Sequence, residues 1–180
     1  MLQITIPSVE LFDDEHNQFI YSKEQTIQLE HSLVSLSKWE SKWCKPFLTK
    51  GNKTTDETID YIRCMTLTQN VDPISYSFTN QSIIDKITDY IDAPMTATTF
   101  RKDNRKLNNN ETVTSELIYY WMISFNIPFE CQKWHLNRLL TLINVCNIKN
   151  QPTKKLSAKE IAIRNRGLNE TRKAQLNTKG

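Results

Sequence analysis

The spacing of apolar residues changes from two to about three and a half along this chain, and the changes mark out its parts. Residues 2–6 alternate apolar and polar, as a half-buried strand does, and residues 9–12 continue the alternation beyond Pro7. Residues 13–17 are polar turn material, and residues 19–21 read as the returning strand of a hairpin. Residues 26–31 alternate again, with Ile27 and Leu29 on one face. These segments predict a small antiparallel sheet. The competing reading is one long helix beginning near Glu24.

From Ser32 onward the period is helical. Ser32 is a natural N-cap for a helix reaching Trp43 or Cys44, with Leu33, Leu36, Trp39, Glu40 and Trp43 at helical spacing and Pro46 as its terminator. Thr55 caps the next predicted helix. Asp56 and Glu57 stand in its first turn, and Ile59, Ile62, Met65 and Leu67 give it an apolar side. Residues 70–76 read as a loop around Asp72 and Pro73. Thr79 then caps a helix over residues 80–91, with Ile83, Ile84, Ile87, Tyr90 and Ile91 as the buried stripe and Asp85, Asp89 and Asp92 as the wet face. Residues 96–99 favour extended structure. Residues 101–110 carry charge and asparagine without apolar periodicity, which predicts an exposed loop.

The most apolar and aromatic stretch, residues 113–148, suits two helices joined at residues 126–128. Thr114 caps the first. Leu117, Ile118, Trp121, Met122 and Phe125 form its stripe, and Tyr119, Tyr120 and Ile123 carry apolar surface most of the way round, so this helix is expected at the centre. Pro128 ends it before Ile127. A turn at residues 129–132 leads to a second helix over 133–147, built on Leu136, Leu139, Leu140 and Ile143. After residues 151–153, Ser157 and Glu160 have capping-box spacing and open a helix over Ala158–Leu176. Its apolar residues form no continuous stripe, so it reads as an arm. The expected fold is mainly α (α+β): a helical domain over residues 1–150 with a small N-terminal antiparallel β-hairpin or sheet, then a basic helical arm over 151–180.

Charge sharpens that division. The net +3 conceals nine Lys or Arg against two Glu in residues 149–180, a net +7, while the first 148 residues carry 14 basic and 18 acidic side chains, a net −4. Such a tail suits nucleic-acid phosphates or an acidic protein partner. The three glycines, Gly51, Gly167 and Gly180, exclude Gly-rich phosphate loops. The four cysteines are scattered, with no Cys-x-x-Cys pair and no basic, apolar leader at the start, which favours a reduced cytosolic setting. No apolar run reaches the roughly 18 residues a membrane span needs.

Candidate chemistry is thin. Cys131 and His135 stand four apart, but at no recognised zinc spacing, so both are expected to be structural. No cysteine, histidine and carboxylate are placed locally as a nucleophile, base and orienter. The expectation is therefore a non-enzymatic protein with no catalytic residue, cofactor or metal. The candidate contact residues are Trp39 and Trp43, framed by Lys38, Lys42 and Lys45, and the arm cations Lys154, Lys155, Lys159, Arg164, Arg166, Arg172 and Lys173.

Five runs carry a resemblance: residues 29–43, 60–71, 93–100, 121–147 with its core Pro128-Phe129-Glu130-Cys131-Gln132-Lys133-Trp134-His135-Leu136, and the ending 176–180. They cover most of the chain and resemble the small tail assembly chaperones of long-tailed bacteriophages (siphophages). That family has no catalytic residues to carry over. The resemblance implies binding to the tape-measure or tail-tube protein in the host cytoplasm before the tube polymerises, with self-association as a further contact. Two alternatives stand beside it: a neck or tail component retained in the virion, and a nucleic-acid-binding protein acting through its arm.

Overall fold

A computed structural model describes residues 1–13, 17–49, 51, 53–100, 112–150 and 158–177. The chain falls into two compact units, Met1–Asn147 and Ile148–Gly180. The fold is mainly α with antiparallel β structure at the N-terminus, as the periodicity predicts.

In the first unit, β1 (Leu2–Ile6) pairs antiparallel with β4 (Gln25–Leu29), and β2 (Val9–Asp13) with β3 (Gln18–Ser22). Leu2 lies opposite Leu29, Ile6 opposite Gln25, Val9 opposite Ser22 and Asp13 opposite Gln18. One register thus runs through both ladders. They are the inner and outer halves of a single long hairpin, broken only where Pro7, which has no N–H, removes a donor. The alternative of a helix from Glu24 is overturned, because β-branched Thr26 and Ile27 pair with β1. Most of the expected turn, residues 14–16, lies outside the described residues.

The inner half is the floor of the core. Ile4, Ile6, Ile27 and Leu29 are buried on it. Its β4 edge is covered by the end of the second helix, where the Glu30 N–H donates to the Met65 carbonyl at 2.9 Å and the Leu67 N–H to the Gln28 carbonyl at 2.8 Å. Among the described residues five α-helices follow: α1 (Leu33–Trp43), α2 (Thr55–Met65), α3 (Gln81–Asp92), α4 (Ser115–Ser124) and α5 (Leu136–Asn150), the last ending past the limit of the first unit. Ser32 and Thr114 cap α1 and α4 as predicted. The caps of α2 and α3 are Thr54 and Asn80, one residue from the expected positions, since Thr54 and Glu57 form a reciprocal capping box and the Asn80 amide oxygen accepts from the Ile83 N–H.

Two 3-10 helices replace expected irregular structure. Pro73–Phe78 is nucleated by Pro73 and by the Asp72 carboxylate, which accepts the Ile74 N–H at 3.0 Å. Phe129–Lys133 delays α5 from the expected residue 133 to Leu136. The reason is tertiary: residues 134–135 are held extended because His135 bridges Ser32 and the Leu136 N–H donates to the His31 carbonyl at 2.7 Å. With so few glycines, left-handed backbone falls to asparagine. Asn17, Asn70, Asn126 and Asn177 have φ of 49°, 58°, 53° and 50°, Met95 has φ of 48°, and Cys44 takes the same conformation to end α1. The predicted loop at residues 101–110 lies outside the described residues.

In the second unit, α6 (Ala158–Leu176) spans the residues its sequence spacing indicates, while the expected cap at Ser157 lies outside the described residues. Its described side chains are all exposed. Arg166 pairs with Glu170 one turn on, at 3.4 Å.

Candidate interaction surfaces and the polar core

The first candidate surface is the outer half of the hairpin. Strand alternation and the shared register put Glu10, Phe12, Phe19 and Tyr21 on one face of it. That face continues the one carrying Ile4, Ile6, Ile27 and Leu29 in the inner half. There the likeness stops, because Phe12, Phe19 and Tyr21 are 47%, 55% and 65% exposed and take no part in the core cluster. The rings order one another instead. Phe12 meets Phe19 edge-on with centroids 5.0 Å apart, and Phe19 lies 6.1 Å from Tyr21. A hydrogen bond from the Tyr21 hydroxyl to the Glu10 carboxylate raises the phenol pKa. The alternation of residues 9–12 announces the strand, but nothing in it announces that these rings stay uncovered.

The second candidate, Trp39 with Trp43, is corrected by the packing. Trp39 is 1% exposed and its indole N–H donates to the Glu57 carbonyl at 2.9 Å, so it is a core residue that glues α1 to α2. Trp43 is half-buried, stacks on Trp39 at 6.1 Å, and donates to Asp60 Oδ2 at 2.9 Å. The flanking cations are also engaged: Lys42 with Asp60, and Lys45 with Glu57 at 2.6 Å. Burial pushes the Asp60 carboxyl up, but hydrogen bonds from Lys42 and Trp43 outweigh it and hold its pKa below the usual value. The Lys45 ammonium and the Thr54 N–H do the same for Glu57. What remains at the surface is the edge of Trp43 with Lys42 and Lys45 near its ring.

The first unit also holds a polar core in which, among the described residues, no buried side-chain nitrogen or oxygen lacks a hydrogen-bond partner. The two carboxylate oxygens of buried Glu40 accept the Phe47 N–H at 2.8 Å and the Ser115 N–H at 2.7 Å, tying α1 to the start of α4. His31 and His135 meet at 5.2 Å between the hairpin and α5. His31 Nδ1 is 2.6 Å from the Tyr61 hydroxyl. His135 donates from Nε2 to the Tyr90 carbonyl at 2.9 Å and accepts the Asn137 N–H on Nδ1 at 3.3 Å, which defines a neutral tautomer. Burial, with the neighbouring His135 second, lowers the His31 pKa to about 3. Burial lowers that of His135 as well. Cys131 and His135 do not share a helix, because Cys131 belongs to the 3-10 turn. Among the described residues no group of three His, Cys, Asp or Glu is placed to hold a metal ion.

The helix expected at the centre, α4, is only half covered. Ile118 and Met122 are buried, whereas Tyr120 and Ile123 are 62% and 61% exposed. An apolar cleft of about 140 Å³ opens between α2 and α3, lined by Phe47, Lys53, Tyr61, Ile62, Ile87 and Ile91.

On α6, Lys159, Arg164, Arg166, Arg172 and Lys173 are exposed. Lys159, Arg166 and Lys173 recur every seven residues, which puts them on one line along the helix. Lys154 and Lys155 lie outside the described residues. No protein-family model, curated protein or solved structure matches the chain.

Proposed function

We propose that the protein is a non-enzymatic tail assembly chaperone of a long-tailed phage, acting in the host cytoplasm. It would hold the tape-measure or tail-tube protein until the tube assembles. The observation that carries the reading is α6, a 19-residue helix with exposed side chains and five cations but no apolar stripe. A helix of this kind gains little stability from its own packing, so it is best used against another molecule. Ordering it there costs entropy and keeps the contact releasable, which suits a protein that must let go when the tube closes. The resemblance of residues 29–43, 60–71, 93–100 and 121–147 supplies the tail context. Also in keeping is that no helix among the described residues is long and apolar enough to cross a membrane.

The test is co-expression with a tape-measure protein. The intact chain should keep it soluble, and a chain ending at residue 153 should not. A tape measure equally insoluble with and without the intact chain would remove this reading. The row of Lys159, Arg166 and Lys173 favours a second reading, nucleic-acid binding through phosphate neutralisation. It predicts DNA binding that falls steeply with salt and disappears with residues 154–180. Recovery of the protein from purified virions would point instead to a retained neck or tail component.

A further inference from the structure

The negative excess of the first unit is concentrated in the outer hairpin. Residues 9–24 contain Glu10, Asp13, Asp14, Glu15 and Glu24 against Lys23, a net −4. That equals the whole excess of residues 1–148, so the rest of them sum to zero. The opposite charge, +7, lies in residues 149–180. One chain therefore carries an acidic appendage with an uncovered aromatic face and a basic appendage with uncovered aliphatic residues. On α6, Ile161, Ile163, Leu168 and Leu176 are all exposed beside the cations.

We propose that the outer face of the hairpin, formed by Glu10, Phe12, Phe19 and Tyr21, is a docking site for helix α6 of a second copy of this chain. The chemistry of the two surfaces matches at each level. Guanidinium groups sit well over phenyl and phenol rings, and Glu10 on the face, with the net −4 of residues 9–24 around it, supplies the counter-charge. Ile161, Leu168 and Leu176 share one side of α6 with Arg164 and Arg172, and on the hairpin these few aliphatic side chains gain an apolar face to lie on. The dimensions agree too: a 19-residue helix is about 28 Å long and a five-residue strand pair about 17 Å, so one helix covers the face.

The contact is heterologous, because hairpin and arm are different surfaces, and a pair joined by one contact keeps a free hairpin on one copy and a free arm on the other. Association should therefore continue beyond a pair as concentration rises. A face this small makes a weak, salt-sensitive contact below the area of a standard interface. It is independent of the tail-assembly reading, although a tape-measure chain bound to the arm would compete with it.

Sedimentation equilibrium of the full chain alone tests this. Association should depend on protein concentration and weaken by about tenfold or more between low and high salt. The double variants Phe19→Ala/Tyr21→Ala and Arg164→Glu/Arg172→Glu should each stay monomeric. Both alter exposed side chains only, and circular dichroism should confirm that each retains the native fold. Mixed together, the two variants should recover a one-to-one complex, since one keeps its arm and the other its hairpin. A chain that is monomeric at low salt and high concentration overturns the proposal. So does association untouched by either double variant, which would place the contact elsewhere, or a mixture that fails to pair.

Discussion

The two halves of the hairpin share a register and a face, yet only one is covered. In the inner half Ile4, Ile6, Ile27 and Leu29 sit under the helices with almost no exposure. In the outer half Phe12, Phe19 and Tyr21 occupy the equivalent positions in solvent. Strand chemistry cannot account for this, since both halves alternate and both pair without slippage. The difference is that the helices extend over one half and not the other. It teaches that a strand pattern specifies which side chains share a face but not what lies on top of it. The outer half then depends on its ladder and its own ring contacts, which for an isolated two-stranded ribbon give marginal stability at best.

The largest effect should come from emptying the covered face. Ile27→Ala removes buried methyl groups from a site with no exposure and should cost about 2–5 kcal/mol in urea unfolding. A cost close to zero would mean that the inner half is not the floor of the core.

Acid should act on the same half and spare the other. The folded-state pKa of His31, about 3, lies below its ordinary 6.5, so the neutral form is the one the fold holds. Its stabilisation is fully present above pH 6.5 and is lost progressively as pH falls toward 3. Between pH 7 and 5 the loss should be about 2 kcal/mol, most of which His31→Asn should remove from the pH profile. The groups around the histidine pair are Tyr61, Tyr90, Glu30 and the Met1 ammonium; Glu30 accepts the Tyr90 hydroxyl at 2.7 Å and pairs with Met1 at 2.9 Å. The carboxylates held low by their lysine partners, Glu57 and Asp60, lose their contribution only in more acid solution, which keeps the histidine window separate. A flat stability between pH 7 and 5 would contradict the burial of the pair.

The smallest effects belong to the appendages. Phe19→Ala, on an exposed ring, should shift unfolding by less than about 0.5 kcal/mol. Removing residues 154–180 should leave the unfolding midpoint of the first unit similarly unmoved, because α6 belongs to the other unit. A substantial loss from either change would show that the appendage is covered in the free protein and would erase the contrast between the two halves.

Much of the architecture is local and could be read without coordinates. The alternation at residues 2–6, the caps at Ser32 and Thr114, and the limits of α6 all follow from side-chain spacing and backbone hydrogen-bond chemistry confined to a few neighbours. The separation of charge between body and arm needs only counting. The candidate contact residues divide along the same line. The arm cations on α6 were legible as exposed because no apolar stripe accompanies them. Trp39 was not legible as core, because its spacing on α1 is the same whether it meets α2 or solvent.

Other features required the chain to meet itself. The start of α5 is displaced to Leu136 by the hydrogen bond its N–H donates to the His31 carbonyl, just past β4 and about a hundred residues earlier, and by the bridge between Ser32 and His135. The apolar girdle of α4 was expected to be enclosed, but Tyr120 and Ile123 remain outside because the neighbouring elements cover only one side. The histidine pair joins residues 31 and 135, whose neutral state follows first from burial among segments distant in sequence, with hydrogen-bond partners drawn from α2 and α3. Period, capping and charge are properties of short segments and so belong to the sequence. Coverage is a property of where distant segments end, and only the tertiary structure decides which half of one continuous face is kept dry.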